Sequence, residues 1–292
     1  MEAEHGKLIL QSTIAESSRK DWLLTCFWLQ EDAHIADAQF NGDPEQALFG
    51  VFDGHGGREV AVYCGARYKE ILNGIDSKAL PGDRDAQVRE WLRKSFLKVD
   101  EELRADLKKE EGAGILAAYR KEQPPKKPHI LKILGDAEKK EPKEQSPEEM
   151  MLDAVGCTAN VVYVDKKNKK IYVSNAGDSR CVMSKGGKAV QMSFDHKPND
   201  EGERRRIEAA GSEVNNEGRV DGNLNLSRSL GDLKSKHREH LAPEDQAITA
   251  NPDTYVYELT DDIDFILMGC DGIWEKNDCD RAVEWMHERL KG

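Results

Sequence analysis

Apolar residues in this chain gather in short runs separated by turn residues. Residues 48–52 read Leu-Phe-Gly-Val-Phe, residues 159–165 Ala-Asn-Val-Val-Tyr-Val-Asp, and residues 263–269 Ile-Asp-Phe-Ile-Leu-Met-Gly. Runs of this length, rich in Val, Ile, Phe and Tyr, predict core strands rather than helices. Residues 22–29, 35–40, 170–174, 181–184 and 189–193 are further strand candidates. A different spacing appears at Val60, Val62, Tyr63, Ala66 and Ile71, and again at Val88, Trp91, Leu92, Phe96, Val99 and Leu103. Both patterns place apolar residues on one face of a helix. A charged helix is predicted over 200–210, closed by Gly211. Another carries Ala282, Val283, Trp285, Met286 and Leu290, capped by Asn277 or Asp278. Strands and helices together predict an α+β protein.

The pattern fails over residues 108–150, which are dominated by Lys, Glu, Gln and Pro, with Pro-Pro-Lys-Lys-Pro at 124–128. Such a stretch cannot bury enough apolar surface to offset chain ordering. It is expected to be a mobile insertion within one domain spanning 1–292, with a short helical piece near 130–134. It explains why charged residues reach 34%, above the usual quarter or so. The 43 Lys and Arg against 55 Asp and Glu give a net charge of −12. That argues against a nucleic-acid or anionic-membrane partner. The six cysteines are far apart with no C-x-x-C, as reduced core cysteines are. No signal peptide is visible and no run is long enough to span a membrane. The expectation is a soluble monomer of the cytoplasm or nucleus.

The chemistry concentrates where strands end. The 48–52 strand runs into Asp53-Gly54-His55, and the 263–269 strand into Cys270-Asp271-Gly272. Gly54 is expected to let the backbone turn at once. Glu31, Asp32 and His34 lie at the start of a hairpin that turns at residues 41–44 and leads back toward Asp53. Carboxylate oxygens from separate strands suit a hard divalent cation such as Mg²⁺ or Mn²⁺. The plainer alternatives are that Asp53 caps the next helix and that Glu31, Asp32 and His34 are solvated hairpin charges. An aspartyl-phosphate enzyme would want a second aspartate at position 55, which is His. A dinucleotide loop would want glycine at position 59, which is Glu. The Gly-x-Ser-x-Gly elbow of serine hydrolases is absent.

Taken together, these residues resemble the type 2C metal-dependent serine/threonine protein phosphatases. Residues 48–56 fit that family's signature at every position, and Glu31-Asp32-Ala33-His34 matches its acidic element. Residues 156–159, 175–180, 195–198, 222–232 and 270–274 match further blocks in the family's order. The resemblance implies a four-layer α/β/β/α sandwich of two antiparallel sheets flanked by helices. It implies two Mg²⁺ or Mn²⁺ ions at one end of the sandwich. Asp53 would bridge them, the Gly54 carbonyl would join one, and Asp271 would hold the other. Asp178 resembles the ligand of a further, looser metal. Glu31 and Asp32 would act through metal-bound waters, and His55 would protonate the leaving serine or threonine oxygen. Phosphoserine and phosphothreonine proteins are the implied substrates, attacked by a metal-bridging water.

Two departures stand out. The family's phosphate-binding arginine falls at Phe27, and Phe cannot give bidentate phosphate recognition. Arg19 or Lys20 are the basic residues nearest by. The family also continues into a last helix and strand carrying an Arg-Asp-Asn element with another ligand aspartate. This sequence stops at Gly292, so the expectation is a sandwich lacking its C-terminal strand, with Asp278 or Asp280 as weak candidates for the lost ligand. These departures keep open a second reading, a catalytically weak relative that binds phosphoproteins or partners without turnover.

Overall fold

The structure, a computed structural model, describes residues 23–27, 32–109, 114–122 and 152–290. In chain order, β1 (Leu23–Phe27), β2 (Ala33–Asp37), β3 (Gln46–Phe52) and β4 (Gly54–His55) precede helices α1 (Glu59–Asn73), α2 (Arg84–Leu107) and α3 (Ile115–Glu122). Then come β5 (Gly156–Cys157), β6 (Ala159–Asp165), β7 (Lys170–Ala176), β8 (Arg180–Lys185) and β9 (Lys188–Gln191), followed by α4 (Glu201–Ala209). Finally β10 (Leu230–Gly231), β11 (Asp253–Glu258) and β12 (Ile263–Gly269) lead to α5 (Asp271–Trp274) and α6 (Cys279–Leu290).

Every residue of β6 is buried. Successive side chains of a strand face opposite ways, so unbroken burial means that both faces are covered. Val161 and Tyr163 face a core shared with helical residues, whereas Val162 and Val164 face a second core between two sheets. Strand β3 divides in the same way, with Leu48 and Phe52 to the helices and Ala47, Phe49 and Val51 to the other sheet. Strand β12 sends Ile266 and Met268 inward and Phe265 and Leu267 outward, against Trp274, Val283 and Met286 of α5 and α6. Four layers follow from this alternation: helices, sheet, sheet, helices.

Among the described residues the first sheet has the order β11-β7-β6-β3-β2 and is antiparallel throughout. The second has the order β1-β12-β8-β9, in which β1 runs parallel to β12. The expected fold class therefore stands, with one parallel pair. The expected helices also form, within a residue or a few of their predicted bounds. Helix α2 is capped by Asp83, whose side chain accepts from the Ala86 N–H at 2.9 Å. Asp278, one of the two candidate caps of α6, accepts from the Arg281 N–H at 2.8 Å.

The polar stretch departs from its reading at its start. Residues 115–122 are helical, and Leu116 is buried in the helix-side core. The buried Asp106 carboxylate at the end of α2 accepts from the Ile115 and Leu116 N–H groups at 2.9 and 3.1 Å. A cap supplied by another helix is invisible to local composition. The helical piece expected near 130–134 lies outside the described residues.

Candidate metal centre

Strand directions bring distant residues to one end of the sandwich. Asp32 precedes β2 and Asp53 follows its antiparallel partner β3, so the two lie at the same sheet end. Strand β6 starts there, and β7 finishes there beside it. Residues 177–179, with Asp178 among them, carry the chain from β7 into β8 of the other sheet. Strand β12 runs antiparallel to β8 and ends where β8 begins, with Gly269 opposite Arg180. Cys270 and Asp271 follow at once. Strand β1 ends at the same level, where its register sets position 27 opposite Gly269.

The tip of β3 is held from β6. The Thr158 N–H donates to the Asp53 carbonyl at 2.9 Å, and the Asp53 N–H donates to Thr158 Oγ1 at 3.3 Å. The turn expected at Gly54 is displaced: Gly54 lies within β4, and the left-handed backbone begins at Gly56, with φ of 69°. A Cβ at Gly56 would meet the Ala154 carbonyl oxygen at 2.9 Å. Helix α1 begins only at Glu59, after Arg58 as its N-cap residue. Asp53 is therefore no helix cap.

Among the described residues, Asp32, Asp53 and Cys270 offer ligand atoms that all lie within 4.8 Å of one another. Burial first, then the charges of Asp32 and Asp271, push the Asp53 carboxyl up to about 8. Asp271 is raised as well, by burial and then by Asp178 and Glu275. Acids crowded in this way cannot all ionise without a compensating cation. Oxygen donors from Asp32, Asp53 and Asp271 fit a hard divalent ion. Cys270 fits it poorly: burial and then the charges of Asp32 and Asp53 push its thiol far up, and an uncharged thiol is no ligand for such an ion.

Asp178 is buried, and the Lys197 ammonium donates to its Oδ2. It is near enough for its charge to raise Asp53 and Asp271. Arg180, two residues on, makes a two-pronged contact with Asp195 at 2.6 and 3.0 Å. His34 lies inside β2 opposite Val51. Glu31, Arg19 and Lys20 lie outside the described residues.

His55 sits on the edge of a small sheet of order β10-β5-β4. Its Nε2 lies 2.7 Å from Asp232 Oδ2. Burial pulls the imidazole down, but the charge and hydrogen bond of Asp232, with Asp178 behind them, leave it above its usual value. The residue-level reading missed Asp232, although it closes the 222–232 block. The available signal was weak: Gly231-Asp232 is one of five Gly-Asp pairs in the sequence, set apart only by its place at the end of that block.

Comparison with known proteins agrees with this geometry. The family model for Protein phosphatase 2C matches residues 25–124 and 118–292. A probable protein phosphatase 2C 6 of Paramecium tetraurelia is 38% identical over 261 residues, covering 89% of this chain and 75% of that protein. A probable protein phosphatase 2C 11 of Oryza sativa subsp. japonica is 38% identical over 268 residues, covering 89% of this chain and 71% of that one. The crystal structure of a serine-threonine phosphatase 2C from Toxoplasma gondii superposes with a TM-score of 0.63 at 16% identity, over 98% of this chain and 89% of the other. At that identity the likeness is one of fold.

Proposed function

The chain belongs to the protein phosphatase 2C family and is a metal-dependent protein phosphatase, and we propose that Asp53 and Asp271, with Asp32 beside them, hold its cations. The observation that carries this reading is the convergence of Asp32 and Asp53, whose ligand oxygens lie within 4.8 Å of each other, where burial and the charges of Asp32 and Asp271 oppose ionisation of Asp53. A site that costs this much to ionise when empty is explained by a cation that rewards ionisation. Mg²⁺ or Mn²⁺, two ions per site, suits the oxygen donors. When bound, such a pair lowers the pKa of a water and polarises the phosphoryl group.

The protein's own groups do the rest. Asp53 feels the charges of both Asp32, at its own sheet end, and Asp271, after a strand of the other sheet, so its carboxylate would share cations with both. Glu31, adjacent to Asp32 in sequence, acts with it through metal-bound waters. The Gly54 carbonyl is a further oxygen donor. Asp178, already matched to Lys197, serves a third and looser site. His55 gives a proton to the departing serine or threonine oxygen. Position 27 stands level with Gly269, at the sandwich end that carries the acids, and this chain has Phe there where the family has its phosphate-binding arginine. The reading of a binding-only relative is not favoured, because the matched relatives bear the names of phosphatases.

Phosphoserine and phosphothreonine proteins are the substrates. No helix among the described residues is long and apolar enough to cross a membrane. The buried thiols of Cys64, Cys157 and Cys270 are in keeping with work in the reducing cytoplasm or nucleus.

Phosphate release from a phosphoserine peptide, with Mn²⁺ and with EDTA, tests the function. Turnover should require the cation, and Asp53→Asn should reduce it by at least ~100-fold, since even groups that only orient a ligand are worth 10–100-fold. Turnover in EDTA, or a wild-type rate in Asp53→Asn, would refute the reading.

A further inference from the structure

We propose that Asp232 is the positioning residue for His55, a buried carboxylate that fixes the imidazole so that its other nitrogen serves the departing oxygen. The inference rests on the phosphatase reading above and adds a residue to it. Asp232 is 2% exposed and its Oδ2 lies 2.7 Å from His55 Nε2. The same oxygen accepts from Ser229 Oγ at 2.5 Å. His55 keeps 26% of its side chain open while Nε2 is held.

The local backbone is shaped around this contact. His55 pairs with Gly156, and Gly156 pairs with Gly231 across the small sheet. A Cβ at Gly156 would lie 2.3 Å from Asp232 Oδ2 and 2.7 Å from His55 Nε2. Only a residue without a side chain leaves room for the pair. Asp232 itself is left-handed, with φ of 47° and ψ of 39°, a conformation that aspartate tolerates better than most residues. Its N–H donates to the Val155 carbonyl at 2.9 Å. Behind it, Asp100 accepts from the Gly231 N–H at 2.8 Å and from Lys236 Nζ at 2.6 Å. Lys236 Nζ also donates to the Ser229 carbonyl at 2.7 Å. Residues 229–236 are thus braced from α2, and the carboxylate cannot swing away from the ring.

With Nε2 committed to Asp232, Nδ1 carries the proton that is passed on. As water attacks phosphorus it loses one proton to solvent, and the ester P–O bond breaks. The departing oxygen takes the Nδ1 proton, and His55 regains one from solvent. The products are inorganic phosphate and a free serine or threonine hydroxyl. An acid matters for an alkoxide leaving group and little for a phenolate, which leaves unaided.

The test therefore compares two Mn²⁺-dependent reactions, on a phosphoserine peptide and on p-nitrophenyl phosphate, for wild type, His55→Gln, Asp232→Asn and the double variant. Asn at 232 keeps the size and the tolerance for left-handed backbone. The ratio of the two rates is independent of how much of each variant is folded. His55→Gln should lower kcat on the peptide by at least ~100-fold and on the aryl ester by less than about 10-fold. Asp232→Asn should lower the peptide rate by roughly 10–100-fold with the same selectivity, and the double variant should be no slower than His55→Gln alone. An Asp232→Asn loss equal on both substrates, no loss at all, or multiplicative losses in the double variant would overturn the role of Asp232 while leaving the phosphatase reading intact. Absence of Mn²⁺-dependent turnover by wild type on either substrate would remove that reading, and this inference with it.

Discussion

Burial and two neighbouring carboxylates oppose ionisation at Asp53, whose carboxyl is pushed up from 3.8 to about 8. Between those values the unfolded chain has released this proton and the folded chain retains it. Raising the pH therefore favours unfolding of the metal-free protein. In EDTA the melting temperature should decline from pH 4 toward pH 8, and Asp53→Asn should flatten that decline. At pH 7.5 the same substitution should stabilise the metal-free protein by about 1–2 kcal/mol, as removal of functional strain commonly does. It should also abolish the rise in melting temperature that Mn²⁺ gives the wild type. A metal-free Asp53→Asn protein that melts below wild type would contradict this account. The residue types at this centre were legible in the sequence because Asp53 and Asp271 each follow a strand and precede a glycine. The pairing of His55 with Asp232 was not, because 177 positions separate them and two-residue strands carry no periodicity.

Elements with two covered faces were the easiest to read. Strands β6 and β12 show near-continuous apolar runs because helices lie on one side and a sheet on the other. Predicted and observed bounds agree for both, at 159–165 and 263–269. Helix α3 was hidden for the opposite reason, since its support comes from Asp106 and the core rather than from its own composition. Leu116 is 1% exposed, and Leu116→Ala should cost about 2–4 kcal/mol in urea unfolding. A cost below about 0.5 kcal/mol, the scale of a surface change, would show that α3 is not docked. Helix α4 is anchored differently, through Glu203. This carboxylate is buried, yet hydrogen bonds from Arg228 and the charges of Arg206 and Arg228 outweigh that and hold it down at about 2. Arg228 Nη2 donates to it at 2.6 Å and Arg206 Nη1 at 2.8 Å. The sign here is the reverse of Asp53. Its stabilisation is present above the ordinary value of 4.5 and is lost as the pH falls toward about 2. Glu203→Gln should cost roughly 1.5–3 kcal/mol at neutral pH, because Arg206 loses its carboxylate partner while Arg228 keeps Asp253 at 2.8 Å. It should also reduce the acid sensitivity of the protein below pH 4.5, which urea titrations at pH 3.5 and 7 would measure.

Over the whole molecule, the sandwich serves to align strand ends. Strands β2, β3 and β7 of one sheet and β1 and β12 of the other all open or close at the same end, where Asp32, Asp53 and Asp178 lie beside strand ends and Asp271 opens α5. Which end of each strand shares the site follows from pairing directions, which periodicity cannot give. The order of motif blocks along the chain made the architecture readable in advance of that geometry. A net charge of −12 would repel a phosphate dianion, and cations held at this one end would supply the local reversal of sign that an acidic protein needs to bind it. The most direct check is an anomalous difference map from crystals grown with Mn²⁺. Two peaks about 3.5–4 Å apart, with oxygens of Asp53 and Asp271 in the first coordination sphere, are the predicted result. A map with no peak at this end of the sandwich, or with peaks that leave Asp53 uncoordinated, would contradict the account.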